Sequence, residues 1–311
     1  MQNRIELIFN NKILFSGIAI LMVLFYHQPP DGIIRDIYFY PGFVGVDIFL
    51  LFSGFGLCYS IKKYSLLQFY KRRIVRILPM LLLMGFFVSF HFKGYSVWDF
   101  ICNMTSLSYY RLGGNVYEWY LASLLLFYLF FPMLYNLTVR YLKNNIWAGG
   151  CLLTLWIIII ALGVTFEIPW YYQTAYGRLP IFLLGILCYF SLSSFKVGLV
   201  SFSVITMPVV LLYCIGMLST YMLVYCLAPW FIFFLTYVIP TIQKNARINK
   251  VFSFLGQHSL EIYVANVLVS IYTKSFFHGV EASLFYWGAH IVVVPIFCWL
   301  NTIIAKKISV L

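Results

Sequence analysis

A chain of 311 residues that is 63% hydrophobic and only 10% charged has too few polar side chains to coat a soluble fold, in which about a quarter of residues are charged. Its mean hydropathy of +0.91 demands lipid-facing surface, and its long unbroken apolar runs lack the alternation of a membrane barrel, so an all-α polytopic bundle is expected. The net charge of +12 does not point to nucleic acid, because the cations gather in short patches between apolar runs, where they set topology and meet anionic lipid.

In chain order, runs near the 20 or so residues that a span requires predict helices at 13–28, 41–60, 77–92, 118–139, 146–166, 178–194, 198–217, 219–241, 252–273 and 284–305. With the N-terminus placed in the cytoplasm, only Arg35, Lys93, Arg111, Arg178 and Lys274 of the 21 cations fall outside. A missed span would scramble that positive-inside bias. Ten spans are therefore expected, with both termini cytoplasmic, in a multi-pass protein of the plasma (inner) membrane. Between spans, 61–77 (IKKYSLLQFYKRRIVRI) mixes six cations with Leu, Phe and Tyr, as an interfacial cytoplasmic helix would. Residues 93–117 form the largest outer loop, with Trp98, Tyr109, Tyr110, Gly113 and Gly114. No repeat or low-complexity segment divides the chain, so 1–311 reads as one transmembrane domain, and no leader with a small-residue cleavage site precedes the first span. The seven Cys, at 58, 102, 151, 188, 214, 226 and 298, form no CxxC pair. They read as small buried hydrophobes and not as a metal site.

Titratable groups inside hydrocarbon are costly and mark candidate sites. Asp47 lies in the apolar stretch GFVGVDIFLLFSGFG, and His27 closes the first span in ILMVLFYHQPP. Span one runs outward and span two inward, so both residues are expected near the outer face, as possible neighbours. His27 is either an interfacial histidine among headgroups or a general base, since imidazole titrates near neutral pH. Asp47 is either a buried acid met by amides or the carboxylate that orients His27. Arg73 and Arg76, at i and i+3 on one helical face, either bind lipid phosphate or grip the phosphates of a soluble donor such as coenzyme A. Ser53 and the Trp119–Tyr120 pair either pack helices or line a pocket whose aromatic faces suit sugar rings.

The ordered motifs resemble those of the membrane acyltransferase 3 family of sugar and polysaccharide O-acyltransferases. FSGIAILMVLFYH, residues 15–27, follows that family's opening stretch up to His27; Gly45-Val46-Asp47-Ile48-Phe49 with Ser53-Gly54-Phe55 follows the next. Phe69, Arg73, Arg76, Ile77 and Pro79 match a third element, and Trp119-Tyr120-Leu121, Tyr128 and Pro132 a fourth. Arg178-Leu179-Pro180 with Leu184-Gly185, then Leu255-Gly256-Gln257-His258-Ser259-Leu260-Glu261-Ile262-Tyr263, complete the order.

The resemblance implies acetyl-CoA, or another acyl-CoA, entering from the cytoplasm, with no metal, and transfer to a sugar hydroxyl. It implies His27 as the catalytic residue and Arg73 and Arg76 as part of the donor site. Beside it, the residues themselves suggest Asp47 as a second catalytic residue, Lys12 as a further donor-binding residue, and Ser53, Trp119, Tyr120 and Arg178 as substrate-binding residues. Ser16 stands where the family usually carries an arginine, and Lys12, one turn earlier, is the candidate substitute. Asn266 stands where a histidine is usual. The expected function is O-acetylation of a cell-surface polysaccharide or its lipid-linked precursor, with membrane lipid, the acceptor and a separate outer-side acceptor-handling protein as partners. The alternative is a transporter or flippase for a glycan or small metabolite.

Overall fold

The computed structural model of the protein describes residues 4–28, 35–91, 96–112, 119–142, 177–191 and 220–310, with scattered positions of 151–166. Among these residues there is no strand, and helices occupy nearly all of them. They are α1 (Arg4–Asn10), α2 (Lys12–His27), α3 (Arg35–Lys63), α4 (Leu66–His91), α5 (Val97–Met104), α6 (Leu107–Leu112), α7 (Trp119–Leu137), α8 (Leu179–Ser191), α9 (Thr220–Lys244), α10 (Ala246–Gln257), α11 (Ser259–Phe276) and α12 (Gly279–Val310). A wider π turn, Thr138–Leu142, ends α7.

Among the described residues three stretches, Val44–Lys63, Trp119–Tyr141 and Gly279–Ile308, are long and apolar enough to cross a membrane, while Lys12–His27 and Leu179–Phe190 are apolar but shorter. The expected span at 198–217 lies outside the described residues, as does most of 146–166. Along α12, Val280, Leu284, Ile291 and Trp299 are all more than half exposed. Such a row is stable only against lipid, because in water it would be an uncovered apolar patch.

Local chemistry sets the breaks. Residues 61–77 do not form the separate interfacial helix expected: α3 runs on to Lys63 and α4 begins at Leu66. Ser65 starts α4 by accepting the Gln68 N–H, so the cations ride on the first turns of a helix that continues into the apolar segment. The expected helix at 252–273 is two helices. The chain breaks at His258, where α10 ends and α11 begins. The expected outer loop holds α5 and α6, and the start of α5 is fixed by a reciprocal Ser96–Asp99 capping box, worth about 1 kcal/mol.

The core is built on α2 and α3, which run antiparallel and make the most extensive helix pairing; α8 packs on α3, α10 on α2, and α11 on both α2 and α12. Two of these crossings are glycine pairs. A β-carbon at Gly54 would collide with the Phe182 carbonyl, and one at Gly185 with the Leu51 carbonyl, so α3 and α8 touch backbone to backbone. Gly17 against Phe252 and Gly256 against Ile13 do the same for α2 and α10. Close approach of this kind replaces the hydrophobic driving force that lipid withholds, since dispersion contacts grow as backbones near one another.

Candidate acyl-transfer site

At one end of the α2–α3 pair lies an interior cavity of about 420 Å³, to which Lys12, Ser16, Ser53, Arg73, Arg76 and Tyr120 all contribute. Five of the nine residues singled out by sequence therefore meet here. The broken helix supplies Gln257, Ser259 and Leu260, so the His258 break opens the chain at the cavity wall. Tyr120 stands edge-on to Tyr263 at 4.9 Å between ring centroids, and Phe49 lies 6.3 Å from it. These rings give the cavity an aromatic wall beside its cations, with Arg73 lying 5.9 Å from the Tyr128 ring.

Outside this cavity is an open basin of about 660 Å³ formed by Tyr64, Gln68, Lys71, Arg72, Val75, Asn301 and Ala305, and again by Arg73 and Arg76. The two arginines form the partition between basin and cavity. Arg73 Nη2 donates to Ser60 Oγ at 3.0 Å, while its buried Nε has no partner. Burial lowers the Arg73 pKa from its ordinary value; Tyr128 opposes this, and Arg76 and Arg72 add to it. The side chain stays cationic at any physiological pH, and an anion at the partition would relieve both its desolvation and the repulsion among the three arginines. On the basin side, Arg72 lies over the Tyr64 ring at 4.3 Å, and Asn301 Nδ2 donates to Glu261 Oε1 at 2.5 Å.

Asp47 and Arg178 form a buried ion pair. Arg178 Nη1 donates to Asp47 Oδ1 at 2.6 Å with both side chains 2% exposed or less. The guanidinium also lies over the Trp119 indole at 4.9 Å. Arg178 and Trp119, expected to bind substrate, border neither the cavity nor the basin; they stack on each other beside Asp47, where α3, α7 and α8 meet. The pairing of Asp47 with His27 is corrected as well. Gly42 packs against Tyr26, and Gly45 against Ala19 and Val23, so Asp47 lies further back along α2, well over a turn from His27. Its Oδ2 makes no hydrogen bond.

His27 is oriented by its own helix. Its Nδ1 lies 2.8 Å from the Val23 carbonyl; a carbonyl only accepts, so Nδ1 carries the proton and Nε2 keeps its lone pair. That is the tautomer a general base needs. Ser16, at the cavity, and His27 are eleven residues apart on α2, about 16 Å at the α-helical rise.

Sequence reasoning missed a second histidine. His290 lies inside the apolar run of α12 and is 8% exposed, so it carries the same signal of an intramembrane titratable group that singled out Asp47. It lies within electrostatic range of His27, as does Lys274. Tyr128, Tyr263 and Gln257 of the cavity were visible only as motif positions. Among the described residues no group of three or more His, Cys, Asp or Glu is placed to hold a metal.

An apolar helical body that brings several cations to one cavity points to a membrane protein with a polar site inside it. Residues 14–305 match the profile of the acyltransferase 3 family, described as an acyltransferase domain. The chain belongs to that family, and is a membrane acyltransferase. No curated protein and no solved structure matches it.

Proposed function

We propose that the protein is a ten-span enzyme of the inner membrane that transfers acetyl from acetyl-CoA to a hydroxyl of a cell-surface polysaccharide or its lipid-linked precursor. The observation that carries this reading is the Arg73–Arg76 partition shared by an open basin and an interior cavity. The basin, with Lys71 and Arg72 added, suits a nucleotide carrying several phosphates. The cavity, aromatic on one side, suits the slim arm that follows them. From there the remaining distance to His27 runs along α2, and it is of the order of an extended pantetheine arm.

In this reading His27 Nε2 takes the proton of the acceptor hydroxyl as its oxygen attacks the thioester carbonyl. The carbon–sulfur bond then breaks, and the departing thiolate recovers that proton from the imidazolium. The Val23 carbonyl holds Nδ1–H throughout, the orienting role that Asp47 was expected to fill. Asp47, with Arg178 and Trp119, instead fixes α3, α7 and α8 around the cavity.

The test is made on protein reconstituted in liposomes with isotopically labelled acetyl-CoA. Label is expected in the polysaccharide or lipid-linked precursor. With Arg73→Ala and Arg76→Ala combined, the donor Kd is expected to rise by about 10–100-fold for each charged hydrogen bond lost, with insertion unchanged. Glycan flux without consumption of acetyl-CoA overturns the reading in favour of a transporter.

A further inference from the structure

The two ends of α2 are filled differently. At the His27 end the Tyr286 hydroxyl joins the Leu24 carbonyl, Asn266 and Ser270 in one hydrogen-bonded hub. At the Lys12 end the interior cavity opens between Lys12 and Ser16 of α2 and Phe49, Phe52, Ser53 and Gly56 of α3. Gly56 is the member of that wall that packing does not require to be a glycine. It lies inside α3, where glycine is the weakest helix former after proline. Two residues back, Gly54 faces the other way, against the Phe182 carbonyl of α8. Gly17, Gly45, Gly185 and Gly256 are held to glycine in the same manner, each with a backbone oxygen closer than 3.0 Å to where a β-carbon would stand. A β-carbon at Gly56 meets nothing within 4 Å. The room its side chain would take belongs to the cavity.

The height of Gly56 on α3 is informative as well. Ser60, one turn toward the partition, holds the Arg73 guanidinium by a 3.0 Å hydrogen bond from Nη2 to Oγ. Four residues of helix span about 6 Å, so the space beside Gly56 is the first that a ligand meets after its phosphates reach Arg73. Phe52 and Leu57 flank that space with apolar surface, and Ser53 and Ser16 offer hydroxyls further in. A phosphopantetheine arm follows the same order. One methylene beyond its phosphate ester comes a quaternary carbon bearing two methyl groups, its only branched apolar point. A hydroxyl and two amides follow on an otherwise slim chain.

We propose that Gly56 is the seat of this branched carbon, its missing side chain giving the two methyl groups their place against the α3 backbone. The inference rests on the acyltransferase reading, which supplies the donor, and deepens it by naming the residue that admits the arm. Gly56 is then a specificity-determining residue with no part in bond making. It selects a phosphopantetheine thioester over an unbranched carrier of the same charge.

The experiment separates arm from nucleotide. Detergent-purified protein is titrated calorimetrically with acetyl-CoA and with adenosine 3′-phosphate 5′-diphosphate, the same nucleotide without its arm. Gly56→Ala is expected to raise the acetyl-CoA Kd about tenfold and Gly56→Leu at least about a hundredfold, by overfilling the seat. Binding of the armless nucleotide is expected to match the parent in both. In thermal melts Gly56→Ala keeps or raises the parent Tm, because alanine is the better helix former, while Gly54→Ala lowers it by driving α3 into α8. An acetyl-CoA analogue lacking the two methyl groups is expected to bind the parent more weakly than acetyl-CoA, and to bind Gly56→Ala as well as it binds the parent. Unchanged acetyl-CoA affinity in Gly56→Leu overturns the proposal. So does an equal loss for the armless nucleotide, or an analogue as sensitive to Gly56→Ala as acetyl-CoA itself. Failure of the acyltransferase reading shows in the unsubstituted protein, as no binding of acetyl-CoA, and overturns both.

Discussion

The two ends of α2 solve recognition in opposite ways. At the Lys12 end, full charges crowd the partition between basin and cavity, with Lys71, Arg72, Arg73 and Arg76 within one turn and a half of α4. At the His27 end the described residues that face one another are mostly neutral: two imidazoles, an amide, two hydroxyls, and Lys274 as the nearby cation. Charge works at the first end because it borders open space, where its desolvation is shared with water. Dipoles serve the second because a charge buried there without a partner would cost far more than a hydroxyl can return. The molecule thus places charge where it meets open space and neutral hydrogen-bonding groups where it does not.

The largest effect that sharpens this contrast is expected from His27→Ala. Removing a general base should lower the transfer rate by about 10²–10⁴-fold with the donor Kd unchanged, measured by label transfer and equilibrium binding. A loss of donor binding instead would merge the two ends into one site. Next in size is Arg178→Met, which leaves Asp47 as a buried, unpaired charge and should destabilise the protein by about 3–5 kcal/mol. Adding Asp47→Leu should recover much of this in thermal melts in detergent, because the apolar pair no longer buries a charge. If Asp47 instead serves His27, the double variant regains stability and still lacks activity. The smallest effect is at Lys12, whose cavity position makes it the stand-in for the arginine usual at Ser16. Lys12→Ala should weaken acetyl-CoA binding several-fold, and Ser16→Arg in that background should restore it, read by calorimetric titration.

The first end was largely legible in the sequence, and of the second only His27 stood out. Arg73, Arg76 and Lys12 stand out because cations beside apolar runs are rare and carry topology, and five of the residues they pointed to share one cavity. The glycines were legible only as letters of a motif. Gly17, Gly54, Gly185 and Gly256 prove to be the contact points of two helix crossings, a role no spacing reveals without knowing which helices touch. Asp47 was noticed correctly as buried and misassigned a partner, because its distance from His27 depends on the packing offset between α2 and α3. Arg178, 131 residues away in the chain, answers it instead. Tyr286 went unread because a neutral polar residue in an apolar helix carries little signal until its partners are known, whereas His290 carried the signal of an intramembrane titratable group and was passed over. The break at His258 was hidden for a related reason: hydropathy runs straight through it, and only local hydrogen bonding ends one helix and begins the next.

The separation of Ser16 from His27 along α2, about 16 Å, turns that helix into a ruler. A thioester carried on a shortened arm, such as an acyl-cysteamine, would stop well short of the imidazole even if the cavity admitted it. In the proposed reading, an arm of full length would have its reach fixed by phosphates held at Arg73 and Arg76. The two glycine crossings keep the gauge from stretching, since neither α10 nor α8 can slide along its partner without driving backbone into backbone. Donor selection would then be a matter of length as much as of charge, measured from the partition upward.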